Sequence, residues 1–268
     1  MQEAGVAVLG RVISLWLKTV SIGDFRCIVL RGGSLNSPSG EFMSTASLPG
    51  LRSSWLRPKY LLFTFVGLMV AYVLRHNESF LIDAKDPVWQ HYQPFKWWLL
   101  PHGMAGACAL LLGPMQFSDR LRQRFTKLHR VVGRIYVGGV FVAGPLGFYI
   151  QFFQERMGAT RSFSLAAAVD AVLWMTTTGI ALAFILRGNV NLHRQWMTRS
   201  FAVALIFLEV RVISGVTGWE KLGPSADEAI VWFCIAFSIL AADIVLQWQD
   251  FRRSRPRIRK AEESAVAV

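Results

Sequence analysis

Charged residues are scarce in this sequence of 268 residues. Asp, Glu, Lys and Arg make up 17% of the chain and hydrophobic residues 53%, whereas soluble domains usually carry about 25% charged residues. Acidic residues are the scarcer kind, since 17 Asp and Glu stand against 29 Lys and Arg, a formal net charge of +12. The composition excludes an ordinary soluble domain and predicts a membrane protein.

Cysteine is also scarce, and the motifs of common enzymes are missing. Cys27, Cys108 and Cys234 lie in different segments without a CxxC spacing, which argues against a disulfide framework and against a metal site. The sequence contains no GxSxG, P-loop or HExxH motif, and no GxGxxG after a strand. Whether the protein is an enzyme therefore stays open.

Long apolar runs are what the sequence does have. About 20 residues are needed to cross a hydrocarbon core of about 30 Å as a helix. The first run is short, so the long side chains of Lys59 and Arg75 are expected to complete the span. We expect an all-α transmembrane bundle of about six spans: Tyr60–Leu74, Trp97–Phe117, Val131–Phe153, Phe163–Leu186, Phe201–Thr217 and Ala229–Trp248.

The distribution of Lys and Arg predicts the orientation of these spans. Segments 51–59, 118–130, 187–199 and 249–260 hold 17 of these residues, and the alternate segments 75–98, 154–162 and 218–228 hold 6. The positive-inside rule assigns the first set to the cytoplasm, with both termini inside. A basic inner face implies anionic lipid headgroups as partners rather than nucleic acid.

Composition divides the chain into three parts. Residues 1–50 read as an extension that is disordered or precedes the true start at Met43, although an amphipathic helix on the membrane surface is an alternative. Residues 55–250 form the transmembrane domain, and residues 251–268 form a basic cytoplasmic tail. Glycines are concentrated in the second and third spans, which predicts that these two helices pack closely.

Three motifs resemble those of a known family. They are "HGMAGACALLLGPMQFSDRLRQRF", "LHRVVGRIYV" and "HRQWMTRSFA", with Arg211 downstream. Over roughly residues 60 to 217 the chain resembles the bacterial multi-pass membrane proteins grouped as domain of unknown function family 2306. The resemblance implies a membrane bundle and no particular reaction, because that family has no established activity.

The Leu-His-Arg triplet occurs twice, at 128–130 and 192–194, each time before an apolar run. His129 and His193 are expected at equal depth on the cytoplasmic side, facing one another. Gly133 lies one turn after His129 on the same helical face and leaves room for a flat cofactor. If this cofactor is a heme held by the two histidines, Met197 is an alternative axial ligand of its iron. Basic side chains for heme propionates would be Arg130, Arg134, Arg194 and Arg199.

Two uses of these histidines remain open. A non-catalytic role, in which the rings contact lipid headgroups or loop carbonyls, is the leading interpretation, because histidine beside arginine is common at a membrane border. A single b-type heme held by His129 and His193 is the alternative.

Ionisable residues inside the spans form a second group, and such residues suggest a function because they are costly in lipid. They are His102, Asp170, Glu209, Arg211 and Asp243. They either line a polar cavity open to the outer face, as in a small-molecule or proton transporter, or they fasten helices through an Asp170–Arg211 salt bridge. Substrate, redox partner and oligomeric state are not set by the sequence.

Overall fold

The computed structural model describes residues 58–77 and 85–266. The expected N-terminal extension and the start at Met43 therefore lie outside the described residues. In the described ranges the chain is helical and contains no strand, which confirms the all-α prediction. The helices are α1 (Pro58–His76), α2 (Val88–Tyr92), α3 (Lys96–Gln116), α4 (Asp119–Arg124), α5 (Thr126–Arg156), α6 (Arg161–Leu186), α7 (Val190–Thr217) and α8 (Pro224–Val266), with 3₁₀ turns at Gln93–Phe95 and Trp219–Leu222.

Five helical segments of the described residues are long and apolar enough to cross a membrane. The apolar part of α1, Phe63–His76, is shorter than the others, as the sequence indicates. The five segments are Val88–Gln116, Thr126–Arg156, Arg161–Leu186, Val190–Thr217 and Pro224–Arg252. The coarse prediction of a polytopic helical bundle is thus confirmed.

Helices α5 and α7 are among those that begin earlier than the apolar runs suggest. Helix α5 starts at Thr126 rather than Val131, and α7 starts at Val190 rather than Phe201. The start of α7 is set by its cap, because the side chain of Asn189 accepts a hydrogen bond of 3.1 Å from the Leu192 backbone N–H. Both Leu-His-Arg triplets are therefore helical, and their side chains have fixed directions.

The bundle described below lies within residues 67–268. Helix α3 packs against α5, α5 against α6, α6 against α7 and α7 against α8, while α3 also contacts α7. Helices α3, α5, α6 and α7 therefore enclose a common core, and α5 and α7 lie diagonally across it. The core residues are Ala109, Tyr136, Val140, Ala181, Met197, Phe201 and Ala204.

Glycines bring α3 and α5 together, as the sequence predicts. A Cβ on Gly139 would lie 2.8 Å from the Ala105 carbonyl oxygen, so only glycine permits the observed approach of the two backbones. Not every glycine serves this purpose, since Gly103, Gly106 and Gly138 have no such neighbour within 4 Å.

Candidate polar site at the His129 end of the bundle

A buried ring of hydrogen bonds sets the register between α5, α6 and α7. Trp174 Nε1 donates to Tyr136 Oη at 3.3 Å, Tyr136 Oη and Ser200 Oγ are 2.8 Å apart, and Ser200 Oγ lies 2.7 Å from Thr178 Oγ1. Thr178 donates to the Trp174 carbonyl at 2.7 Å. Because a carbonyl only accepts, Ser200 must donate to Thr178, and Tyr136 to Ser200. Every group in the ring is satisfied.

The same register places His129 and His193 at equal depth. Tyr136 and Ser200 are 64 residues apart, as are His129 and His193, and each histidine lies seven residues before its partner in the ring. Seven residues are about two turns of helix. Both histidines therefore lie on the same face of their helices as Tyr136 and Ser200, two turns closer to the end of the bundle. That end, formed by the C-terminus of α3 and the N-termini of α5 and α7, is here called the His129 end.

The ring of His193 is oriented by a backbone carbonyl. Its Nδ1 lies 2.8 Å from the Ala181 carbonyl oxygen on α6, so Nδ1 carries a proton and donates it. In the neutral ring Nε2 is then the available acceptor. A histidine held in this way is oriented toward a second partner through Nε2, an arrangement common among ligand-binding histidines.

His129 and Gln116 each carry a polar atom without a partner. Nδ1 of His129 and Nε2 of Gln116 are buried and have no hydrogen-bond partner among the described residues. The side chain of Gln116 lies close to Gly133, because a Cβ on Gly133 would be 3.3 Å from Gln116 Oε1. Gly133 lies one turn after His129 on the same face of α5. The end of α3 thus brings a glutamine to the site.

Positive charge surrounds His129. His193, Arg122 and Arg130 lie close enough to His129 to act on it electrostatically. Arg130 is exposed, as is Arg194. Arg199, by contrast, lies with Nε 2.8 Å from Asp243 Oδ1 on α8 and with its guanidinium 5.0 Å from the Trp196 ring centroid. Arg199 therefore fastens α7 to α8.

Met197 lies deeper, in the apolar core. It is 9% exposed and packs in the same cluster as Tyr136 and Phe201. The ring of Phe201 lies 5.5 Å from that of Phe117 and against Gly113. Aromatic side chains and a thioether thus fill the bundle below the two histidines.

His102 belongs to the opposite end of α3. Its Nδ1 lies 2.9 Å from the Ala143 carbonyl oxygen, and a Cβ on Gly147 would lie 2.9 Å from its Cε1 atom. The contacts of His102 are thus with α5. In the part of the chain that the structure describes, no hydrogen bond or ion pair connects it to Asp170 or Glu209.

Asp170 and Glu209 form an acidic pair between α6, α7 and α8. Oδ1 of Asp170 is buried without a hydrogen-bond partner among the described residues, and the charged group that acts on Asp170 is Glu209. Glu209 accepts a hydrogen bond of 2.8 Å from Ser238. The Asp170–Arg211 salt bridge expected from the sequence stays a prediction. Arg211 lies 5.3 Å from the Phe207 ring centroid.

Comparison with protein families decides the classification. The family described as predicted membrane protein (DUF2306) matches residues 99–246. The chain belongs to this family. The DUF2306 region begins near the start of α3 and extends into α8, so it contains His102, both Leu-His-Arg histidines, the acidic pair and Asp243. No curated protein and no solved structure matches the chain.

Sequence reasoning missed three residues of the DUF2306 bundle. Gln116 ends α3 inside the first motif, and Tyr136 and Ser200 follow the two histidines at the same spacing. The repeated seven-residue spacing from histidine to hydroxyl is a signal that was present in the sequence. The pairing of Asp243 with Arg199 had no such signal, because it depends on how α8 lies against α7.

Proposed function

We propose that the protein is a non-catalytic membrane protein of the bacterial inner membrane that binds an anionic lipid headgroup at the His129 end. The observation that carries this proposal is the buried His129 Nδ1 without a hydrogen-bond partner among the described residues, next to Gln116 Nε2 in the same state. Buried polar atoms in folded proteins are nearly always hydrogen-bonded. Two such atoms on neighbouring helices indicate a partner beyond the described residues, and we assign this partner to a lipid headgroup.

The donors define the chemistry of that partner. Gln116 Nε2 can only donate a hydrogen bond, so the partner must present an acceptor. Arg122 and Arg130 add positive charge around His129. A phosphate oxygen accepts hydrogen bonds, carries negative charge and is bound well by arginine, and the phosphate of an acidic lipid lies at the level of a helix end.

The size of the site favours a headgroup over a macrocycle. The space next to Gly133 faces the Gln116 side chain, with only 3.3 Å between Gln116 Oε1 and the position of a Cβ on Gly133. Met197, the alternative axial ligand of the heme interpretation, packs in the core with Tyr136. A few polar atoms at the helix end are accommodated more readily there than a flat porphyrin.

The orientation of the bundle agrees with an anionic partner. The His129 end includes segments 118–130 and 187–199, which belong to the basic set that the positive-inside rule assigns to the cytoplasm. The cytoplasmic leaflet carries the negative surface potential of a membrane. We infer that α1 is a sixth span and that both termini are cytoplasmic, and the contact of Tyr72, in the C-terminal half of α1, with Gly215 on α7 supports this.

The test compares lipids and variants of the full chain. Phosphatidylglycerol is expected to raise the Tm of the wild type relative to phosphatidylcholine by about 3 °C, because a ligand that binds only the folded state stabilises it. His129→Phe and Gln116→Leu are expected to reduce this difference. Lys127→Gln removes an exposed charge from the same turn and serves as the control. Equal losses in all three variants would mean that only general surface charge matters.

One observation favours a second candidate, a single b-type heme. His193 donates through Nδ1 to Ala181, which leaves Nε2 for an axial ligand bond. The visible spectrum of protein purified in detergent distinguishes the two candidates. A Soret band with sharp reduced α and β bands, lost in both His129→Ala and His193→Ala, would support heme, and a colourless wild type that shows the phosphatidylglycerol effect would support the headgroup.

A further inference from the structure

The contacts between α3 and α5 are repeated at the two ends of this helix pair. At the His129 end, Gln116 of α3 lies against Gly133 of α5, and at the opposite end His102 of α3 lies against Gly147 of α5. The two α3 residues are 14 positions apart, and so are the two glycines. The antiparallel pair therefore places a polar side chain against a glycine twice, about 21 Å apart along the helix axis.

The end that holds His102 also contains a buried polar atom without a partner. Oε1 of Gln151 is buried and has no hydrogen-bond partner among the described residues. Gln151 lies one turn after Gly147 and so on the face of α5 that His102 covers. As at the His129 end, a histidine and a glutamine lie near one glycine of α5, but here the histidine belongs to α3 and the glutamine to α5.

The available atoms at this end are acceptors. Nδ1 of His102 donates to the Ala143 carbonyl at 2.9 Å, which leaves Nε2 as an acceptor in the neutral ring. Gln151 Oε1 accepts as well. A ligand that satisfies both atoms must donate hydrogen bonds, which is the reverse of the acceptor that Gln116 requires.

An aromatic ring lies one turn from His102 on the same face of α3. This ring is that of Trp98, which packs edge to face against Tyr149 of α5 with ring centroids 5.0 Å apart. Aromatic rings attract cations. Two hydrogen-bond acceptors with an aromatic ring one turn away suit an ammonium group, which donates hydrogen bonds and carries positive charge.

We propose that the His102 end of α3 and α5 is a second ligand site, which binds a primary ammonium group through His102 Nε2 and Gln151 Oε1. An ammonium group of this kind occurs in the headgroup of phosphatidylethanolamine and in free ethanolamine. The site is independent of the anionic one at the His129 end, because it uses other residues and the opposite hydrogen-bonding character.

The experiment measures the Tm of the full-length chain in bilayers of phosphatidylcholine with and without phosphatidylethanolamine. The two headgroups differ in that only the primary ammonium of ethanolamine can donate hydrogen bonds. Phosphatidylethanolamine is expected to raise the Tm of the wild type by about 3 °C, and Gln151→Leu is expected to abolish the rise. Gln123→Leu, which makes the same change at an exposed position on α4, should keep it. Ethanolamine added to protein in detergent reports whether the free amine suffices.

Two results would overturn the proposal. One is an equal Tm of the wild type with and without phosphatidylethanolamine. The other is a full rise in Gln151→Leu, which would attribute the effect to the bilayer and not to the site. His102→Phe is a weaker probe, since it also removes the bond to Ala143. Gln116→Leu separates the two proposals, because it should lose the phosphatidylglycerol effect and respond to phosphatidylethanolamine like the wild type.

Discussion

Tyr136 and Ser200 share a hydrogen bond of 2.8 Å across the diagonal of the bundle, although 64 residues separate them in the chain. Both are fully buried. The bond fixes how far α5 and α7 are shifted along their axes relative to one another. Because each histidine lies seven residues before Tyr136 or Ser200, the bond also aligns the two Leu-His-Arg triplets. The equal depth of His129 and His193 thus rests on a contact two turns below them.

The first prediction concerns this bond. Tyr136→Phe removes the hydroxyl that accepts from Trp174 and donates to Ser200, and is expected to lower stability by about 1 kcal/mol. Ser200→Ala should cost a similar amount, and the double variant should cost less than both together, because each change breaks the same ring. Thermal unfolding in detergent measures the differences. Tyr149→Phe, at an exposed ring, is the control, and fully additive losses would argue against a coupled ring.

A second prediction concerns the ion pair between Arg199 and Asp243. The side chains are 25% and 39% exposed, so the pair is only partly screened by solvent. A double-mutant cycle with Arg199→Met and Asp243→Asn is expected to give a coupling of about 1 kcal/mol. The exposed pair of Arg122 and Asp119 should give less in the same measurement. A coupling of zero for Arg199 and Asp243 would mean that α7 and α8 are held by apolar packing alone.

The third prediction concerns Asp170. Because Glu209 is the charged group that acts on it, Asp170→Asn removes a buried carboxylate from beside another acid, and we expect unchanged or slightly higher stability. Glu209→Ala should lower stability, since Ser238 then loses its acceptor. Unfolding curves of both variants decide the matter. A severe loss in Asp170→Asn would instead indicate a cation paired with Asp170, as the sequence alone had suggested.

A fourth prediction concerns topology. A reporter active only in the cytoplasm should give signal when fused after residue 125, after residue 190 or at the C-terminus, because these points adjoin the basic segments. A fusion near residue 90 should be silent. Signal at residue 90 would reverse the orientation and place the His129 end on the outer face.

Much of the fold could be read from composition and pattern. The low charge and long apolar runs predicted a polytopic helical bundle, and the glycines of the second and third runs predicted their close packing. Helix starts were harder, because Asn189 begins α7 within a polar segment that a hydropathy pattern assigns to a loop. Basic side chains can remain helical at a membrane border when their charged ends reach water.

The sequence likewise indicated some residues of the candidate site and not others. The repeated triplet indicated His129 and His193, and helical spacing indicated Gly133. The sequence did not indicate that Gln116 and His129 would leave polar atoms without partners, since that depends on the approach of α3 to α5. The approach of Glu209 to Asp170 likewise depends on the rotation of the helices about their axes.

The sequence by itself determined the class, the approximate spans and the family, because hydropathy and short motifs depend only on neighbours along one chain. Tertiary structure decided which polar side chains meet, because a helix can rotate and shift along its axis while its hydropathy stays the same. In lipid, the rotation and axial shift of each helix are fixed by close glycine contacts, such as that of Gly139 with Ala105, and by buried hydrogen bonds, such as that of Tyr136 with Ser200. Both kinds of contact join residues far apart in the chain.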